Sequence, residues 1–176
     1  HRRMGIDEMI SLFYVTGIVS LIYLGMGFSV LSKGKHDLLH RLFFLLCMSF
    51  AVWCCGASLY YVADTAETAL WIFRITSGGF FFFPPLFVLF FLILSGYVKT
   101  PRSPRVVPIF LPGICLYVVA LIRPDLILAV KPGRLTWLLS YNEESFWYYL
   151  NIANYVCGSI AGIVILFIRM RHARGT

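Results

Sequence analysis

Two small sets of polar side chains have a spacing that would place each set on one face of a helix. Glu67, Trp71 and Arg74 lie three to four residues apart and would present a carboxylate, an indole ring and a guanidinium together. Asn151 and Asn154 lie three residues apart and would present two amides. We predict that these five residues contact a ligand. The alternatives are a surface ion pair with an aromatic anchor for the first set, and helix packing for the second.

The sequence offers little for catalysis or metal binding. It contains no nucleophile–base–acid set, no glycine-rich phosphate loop and no metal-ligand spacing, so we predict no catalytic residue, no metal and no cofactor. Haem is not expected, because all four histidines lie in the termini or in the first loop. The five cysteines lie inside apolar stretches, where they act as small apolar residues. We therefore expect a protein that is not an enzyme.

The elements that position these side chains are membrane helices. Hydrophobic residues make up 60% of the 176 residues and charged residues 13%, whereas a soluble domain has roughly half apolar and about a quarter charged residues. We predict an all-α polytopic helical bundle that forms a single transmembrane domain over residues 1–176. Its five transmembrane helices correspond to the uncharged stretches 9–31, 42–63, 75–98, 106–122 and 146–168.

The basic residues indicate how the chain is oriented. Residues 32–41, 99–105 and 169–176 together carry nine Lys and Arg residues and one acid, whereas residues 1–8, 64–74 and 123–145 carry six basic residues and seven acids. Lys and Arg concentrate on the cytoplasmic side of membrane proteins. We predict an outside N-terminus and a cytoplasmic C-terminus. This distribution accounts for the positive charge, so the expected partner is the lipid bilayer and not nucleic acid.

Proline and glycine residues mark two sites of helix distortion and packing. Pro84 and Pro85 in the third predicted helix remove two backbone donors and free carbonyls on the preceding turn, so we predict a kink that faces protein. Gly158 and Gly162 in the fifth predicted helix have a spacing that permits close helix approach, either within the chain or in a dimer. The outer connection 123–145 contains two short apolar pieces that we expect at the membrane interface.

A longer apolar and aromatic pattern runs from the second to the fourth predicted helix. It consists of His40-Arg41-Leu42-Phe43-Phe44-Leu45-Leu46, Ser49-Phe50-Ala51-Val52-Trp53, Glu67, Ala69, Trp71, Arg74, Gly79, Phe83-Pro84-Pro85-Leu86-Phe87, Phe90, Leu94, Gly96 and Pro112-Gly113. Over residues 10–168 the chain resembles the N-terminal seven-helix sensor region of bacterial histidine kinases, which is also found on diguanylate cyclases and phosphatases. Only the first five helices of that region are expected here, without an output domain.

The resemblance implies a sensory and signal-transduction module in the bacterial inner membrane, not itself catalytic. Its expected partners are other membrane polypeptides or a second copy of the chain. A second hypothesis is an accessory structural subunit of a larger integral membrane complex. A third is a channel or transporter lobe for a small solute, although the predicted helices lack the ionisable group that ion-coupled transport usually uses.

Overall fold

The computed structural model describes residues 6–100, 103–132 and 137–174. The described residues form five α-helices, a two-stranded hairpin and two single turns of 3₁₀-helix at Pro104–Val106 and Pro124–Leu126. The helices and strands are α1 (Ile6–Lys33), α2 (Leu38–Tyr61), α3 (Ala66–Leu94), α4 (Val107–Ile122), β1 (Leu128–Pro132), β2 (Trp137–Tyr141) and α5 (Phe146–Arg174). Each predicted helix is present, and α3 begins nine residues before the predicted start at 75.

Four of these helices are long and apolar enough to cross a membrane, namely α1, α2, α3 and α5. The fourth helix, α4, is apolar but has 16 residues, which corresponds to about 24 Å of helix. A typical hydrocarbon core is about 30 Å thick. The architecture is that of a multi-pass membrane helical bundle, and a fifth crossing by α4 stays a prediction.

The connection between α4 and α5 departs from the all-α prediction. Two of its segments pair as antiparallel strands, with Leu128 opposite Tyr141 and Pro132 opposite Trp137. The position of its apolar pieces at the membrane interface stays a prediction. Pairing satisfies backbone N–H and C=O groups that two separate extended segments would leave to solvent. At the base of the hairpin the Asn142 backbone N–H donates to the Ile127 carbonyl at 3.1 Å. The fully buried Ile127 side chain fixes this base to the helices.

The short turn between α1 and α2 is held by Asp37, the N-cap of α2. One carboxylate oxygen accepts a hydrogen bond from the Leu39 backbone N–H at 3.2 Å, and the other lies 2.5 Å from His40 Nδ1. The hydrogen bonds from His40 and then from Leu39 hold the pKa of Asp37 below its usual value, because both favour the charged carboxylate. The charged form of this exposed residue therefore supports the start of α2.

We expect Asp37→Ala to lower the melting temperature of the protein in detergent at neutral pH. Asp37→Asn should lower it less, because the amide oxygen can still accept the Leu39 N–H. A carboxylate whose folded pKa is depressed stabilises the fold above its unfolded pKa, and that contribution disappears as the pH falls through the folded pKa. The melting temperatures of wild type and Asp37→Ala should thus converge in acid. A difference that stays constant down to about pH 2 would contradict this role.

The central helix of the bundle is α3, which packs against α2, α4 and α5, while α1 packs against α2. Its first turn is capped by Thr65, whose Oγ1 accepts the Thr68 N–H at 3.1 Å. It ends before Gly96, whose φ of +78° lets the chain turn away while its N–H still donates to the Ile93 carbonyl. The first three turns of α3 contain Glu67, Trp71 and Arg74.

Small hydroxyl side chains join the helices at several levels. Ser20 Oγ donates to the Ala51 carbonyl at 2.8 Å, which links α1 to α2. Ser49 Oγ donates to the Gly79 carbonyl, which links α2 to α3. Without water in the hydrocarbon core, such bonds and the close packing of small residues hold membrane helices together.

Candidate functional site: the proline kink of α3

Pro84 and Pro85 lie inside α3 and are almost completely buried, each less than 2% exposed. Neither residue has a backbone N–H, so the carbonyls four residues earlier, at Phe80 and Phe81, lose their usual helical donors. Because both rings are buried, the part of α3 that loses helical hydrogen bonds faces protein, while the predicted kink itself stays a prediction. The neighbouring helices must therefore supply whatever these carbonyls need.

The carbonyl released by Pro85 is bound by the fifth helix. Asn154 Nδ2 donates a hydrogen bond to the Phe81 carbonyl oxygen at 3.2 Å. The fourth helix reaches the same atom, since a Cβ placed on Gly113 would lie 2.8 Å from the Phe81 oxygen. Three helices thus meet at one backbone group, and the side chain predicted to contact a ligand also repairs the break in α3.

The two glycines of α5 are used inside the chain. A Cβ on Gly158 would lie 2.6 Å from Pro84 Cβ, and one on Gly162 would lie 2.5 Å from Cε1 of Phe87. Gly158 faces Pro84 and Gly162 faces Phe87, so the residue numbers of both helices rise in the same direction along the contact. The helices α3 and α5 therefore run parallel. The small-residue face predicted to allow close approach therefore lies directly against the proline kink.

An apolar cavity of about 390 Å³ lies where α3, α4 and α5 meet, and we refer to it as the kink cavity. Pro85 and Val88 line it from α3, and Pro108, Ile109 and Pro112 line it from α4. The remaining lining residues belong to α5 and are Leu150, Ala153, Asn154, Cys157, Gly158 and Ala161. Asn154 thus has one amide N–H bound to α3 and borders this cavity.

A second, smaller cavity of about 80 Å³ lies on the other side of α3 and is enclosed largely by aromatic rings. The Phe80 and Tyr155 rings are stacked with centroids 5.1 Å apart, and Trp53 lies 5.0 Å from Phe80. This aromatic box was not predicted. The run of four phenylalanines at 80–83 was a usable signal, because successive helical residues project rings towards different neighbours.

The first polar set lies at the N-terminal end of α3, away from the kink cavity. Trp71 is 52% exposed, and the Arg74 guanidinium carbon lies 5.0 Å from the centroid of its ring. Among the described residues, Glu67 forms no ion pair with Arg74. The reason is spacing, because seven helical residues separate the two groups by about 10 Å along the axis. A cation–π contact between neighbouring turns replaces the ion pair considered as an alternative.

Two buried polar atoms in the N-terminal halves of α3 and α5 lack a hydrogen-bond partner in the described part of the chain. One is Nε of Arg74, on α3, and the other is Oδ1 of Asn151, a residue that is only 5% exposed. Most buried polar groups in proteins are satisfied, so each orphan calls for an explanation. Asn151 therefore differs from Asn154, whose amide is bonded and borders a cavity.

The structure thus divides the predicted site residues into two groups. Asn154, Pro84, Pro85 and Gly158 come together in the middle of α3 and α5. The other group, at the N-terminal end of α3, consists of Glu67, Trp71 and Arg74. Within the described ranges, no group of three His, Cys, Asp or Glu residues could hold a metal ion.

Comparison with known proteins gives a family match over almost the whole chain. Residues 12–176 match the family described as the N-terminal 7TM region of histidine kinase. The resemblance seen over residues 10–168 is therefore confirmed. No curated protein and no solved structure matches the chain significantly.

Proposed function

This chain belongs to the family of N-terminal 7TM regions of histidine kinases, and from that premise we propose how it transmits a signal. The family makes it a membrane sensory module, and the sensor region of a histidine kinase is not its catalytic part. A stimulus at the outer face or within the bilayer changes the packing of α3 around Pro84 and Pro85. The fifth helix then carries that change towards the cytoplasm.

The hydrogen bond between Asn154 and the Phe81 carbonyl is the observation that carries this proposal. It joins α5 to the one part of α3 whose own helical bonds are broken, so the position of α5 depends on the conformation of the kink. Gly158 and Pro84 are in such close contact that α3 and α5 cannot approach each other further. A packed element with two discrete arrangements is the usual basis of a switch.

The orientation that we propose places the kink between an outer sensing end and a cytoplasmic end. The basic residues near the end of α5, Arg169 and Arg171, favour a cytoplasmic location in a bacterial inner membrane. The fourth helix follows α3 and precedes α5 in the chain. Because α3 and α5 run parallel, the chain must return across the membrane between them, which supports a fifth crossing by α4 despite its length. The N-terminus would then lie outside.

We also propose that the outer polar residues take part in sensing. The Nε atom of Arg74 and Oδ1 of Asn151 are buried without described hydrogen-bond partners. A polar ligand that accepted a hydrogen bond from Arg74 and donated one to Asn151 would remove the desolvation cost of both atoms. Trp71 and Glu67 are exposed beside Arg74 and would meet such a ligand at the surface. Asn154 would respond from within the bundle.

The competing function is an accessory subunit of a larger membrane complex. Large apolar side chains remain exposed along α1 and α5, and lipid, a second copy or other membrane polypeptides could cover them. Native mass spectrometry of the protein gently extracted from its own membrane separates the two functions. A monomer or homodimer supports the sensory module, whereas a fixed-stoichiometry assembly with other polypeptides would overturn it. Solute flux in liposomes would instead support the channel or transporter lobe.

Transmission through the kink predicts that Asn154→Leu alters the inner ends of α3 and α5. Spin labels at Tyr97 and Ile168, both exposed, would report the distance between those ends in nanodiscs, in a background without the native cysteines. We expect one narrow distance distribution in the otherwise unchanged protein and a broader or displaced one with Asn154→Leu. The control is Val156→Leu, which introduces the same residue on the exposed face of α5. Identical distributions for all three proteins would refute the coupling.

A further inference from the structure

The kink cavity has the chemistry of a site for an uncharged, largely apolar molecule. None of its lining residues carries a formal charge. An ionised group would lose its hydration there without a compensating partner, which is strongly unfavourable. The volume of about 390 Å³ falls at the small end of the range found for ligand pockets, roughly 300–1,000 Å³.

The position of the cavity indicates that a ligand would enter from the lipid. Asn154 and Ala161 lie about 12 Å and 22 Å along α5 from its first residue, so the cavity occupies the middle of an apolar helix. Pro108, Ala153 and Cys157 are exposed at its rim, whereas Pro85 is buried at its floor. Its opening therefore faces the hydrocarbon and not the aqueous phase.

The amide of Asn154 provides one directional contact in this apolar site. Its Nδ2 donates to the Phe81 carbonyl, and no described residue donates a hydrogen bond to its Oδ1. That oxygen can accept a hydrogen bond from a molecule in the cavity. A ligand with a single hydroxyl or amide N–H would satisfy it, and an apolar body would fill the space beside Val88 and Ala161.

We propose that the kink cavity binds a neutral amphiphile dissolved in the membrane, with one hydrogen-bond donor bound to Asn154 Oδ1. This inference rests on the proposed sensory function and names the ligand class for the kink. A further membrane helix is the other candidate occupant of this region. A helix packed there would cover the exposed rim residues Pro108, Ala153 and Cys157, and this outcome is distinguished by the test below.

The test measures how fast a membrane-permeant maleimide alkylates Cys157 in the full chain in nanodiscs. The thiols of Cys157 and Cys55 are both exposed, but Cys55 lies on α2 away from the cavity and serves as an internal control. The probes are decanol, decane and decanoate at equal membrane concentrations. Decanol should slow the alkylation of Cys157 relative to Cys55 about tenfold at a concentration about ten times its Kd, because only the unoccupied fraction reacts.

The hydrogen bond is tested by comparing the probes. Decane lacks the donor and should bind about fivefold more weakly than decanol, and charged decanoate should protect least. Asn154→Leu should abolish the preference for decanol over decane. Because this substitution also removes the bond to Phe81, Ala161→Phe provides a second variant that fills the cavity and leaves the amide in place. It should abolish protection by decanol, while Ile160→Phe on the exposed face should not.

Three results would overturn the proposal. Equal protection by decanol and decane would show that Asn154 contributes no directional contact. Equal protection of Cys157 and Cys55 would show a general effect on the bilayer. Protection by no probe would show that the cavity is closed to ligands, as expected if another helix seals its rim. Each of these leaves the sensory function standing, which instead fails if native mass spectrometry finds a fixed assembly with other polypeptides.

Discussion

Asn154→Leu is expected to lower the free energy of unfolding by about 1–3 kcal/mol, the usual effect of leaving a buried polar group unsatisfied. The residue that loses its partner is Phe81, whose carbonyl has no helical donor because Pro85 follows four residues later. Leucine has the same number of side-chain heavy atoms and the same branch point as asparagine, and it is somewhat larger, so the substitution leaves no void. The lost hydrogen bond, and not a new void, should therefore dominate the effect.

A double variant tests directly whether the Asn154 amide compensates for the proline. Pro85→Ala restores a backbone N–H that can donate to the Phe81 carbonyl, so it should rescue part of the loss caused by Asn154→Leu. We expect the two substitutions together to cost about 1–2 kcal/mol less than the sum of their separate effects, within the range known for residues that share a partner. Reversible unfolding of all four proteins in bicelles measures this coupling. Strict additivity would show that the Asn154 amide does not compensate for the proline.

Gly79→Ala should lower the free energy of unfolding by about 2–3 kcal/mol. A Cβ at Gly79 would collide with the Ser49 carbonyl oxygen and would lie 3.0 Å from the Trp53 backbone nitrogen. Both contacts are with the backbone of α2, which cannot rotate away as a side chain could. The helices would have to separate, and the Ser49 bond to Gly79 would be lost with them.

Gly25→Ala is the matched control, because a Cβ at that position meets nothing within 4 Å. Alanine is a better helix former than glycine, so this variant should be neutral or more stable by up to about 1 kcal/mol. The same unfolding measurement on both variants tests the expected contrast. Similar effects at the two positions would mean that α2 and α3 do not meet at Gly79 as closely as described.

Local features of the sequence predicted a large part of this arrangement. A proline is visible wherever it occurs, and its missing N–H requires protein contacts in a membrane, so the burial of Pro84 and Pro85 followed from chemistry alone. The close approach at Gly158 and Gly162 was similarly implied by their size and spacing. Both features depend on residues near each other in the chain.

Features that depend on the register between distant helices were not predictable. The partner of Asn154 lies 73 residues earlier, and no spacing rule selects the Phe81 carbonyl over its neighbours. The sequence identified Asn154 as a polar residue that either bonds another helix or lines a pocket, and it left both alternatives open. In the structure the Asn154 amide both donates a hydrogen bond to α3 and borders the kink cavity.

The hairpin was missed for a different reason. Its strands are short apolar pieces, and a single such piece has no preference that distinguishes pairing from lying flat on a membrane. Their antiparallel register, with Val130 opposite Leu139, becomes favourable only when both strands are packed against the rest of the protein. The packing of Ile127 at its base supplies the remaining constraint.

The bond at the kink also has a consequence for how the protein is made. Ribosomes synthesise α3 well before α5, so the Phe81 carbonyl enters the membrane without the amide that finally binds it. During that interval the insertion machinery, lipid headgroups or water must solvate the group, because hydrocarbon cannot. The third helix is therefore expected to reach its final depth and shape only after α5 has entered the membrane beside it. Insertion of α5 and completion of the α3 backbone should then be one step of assembly.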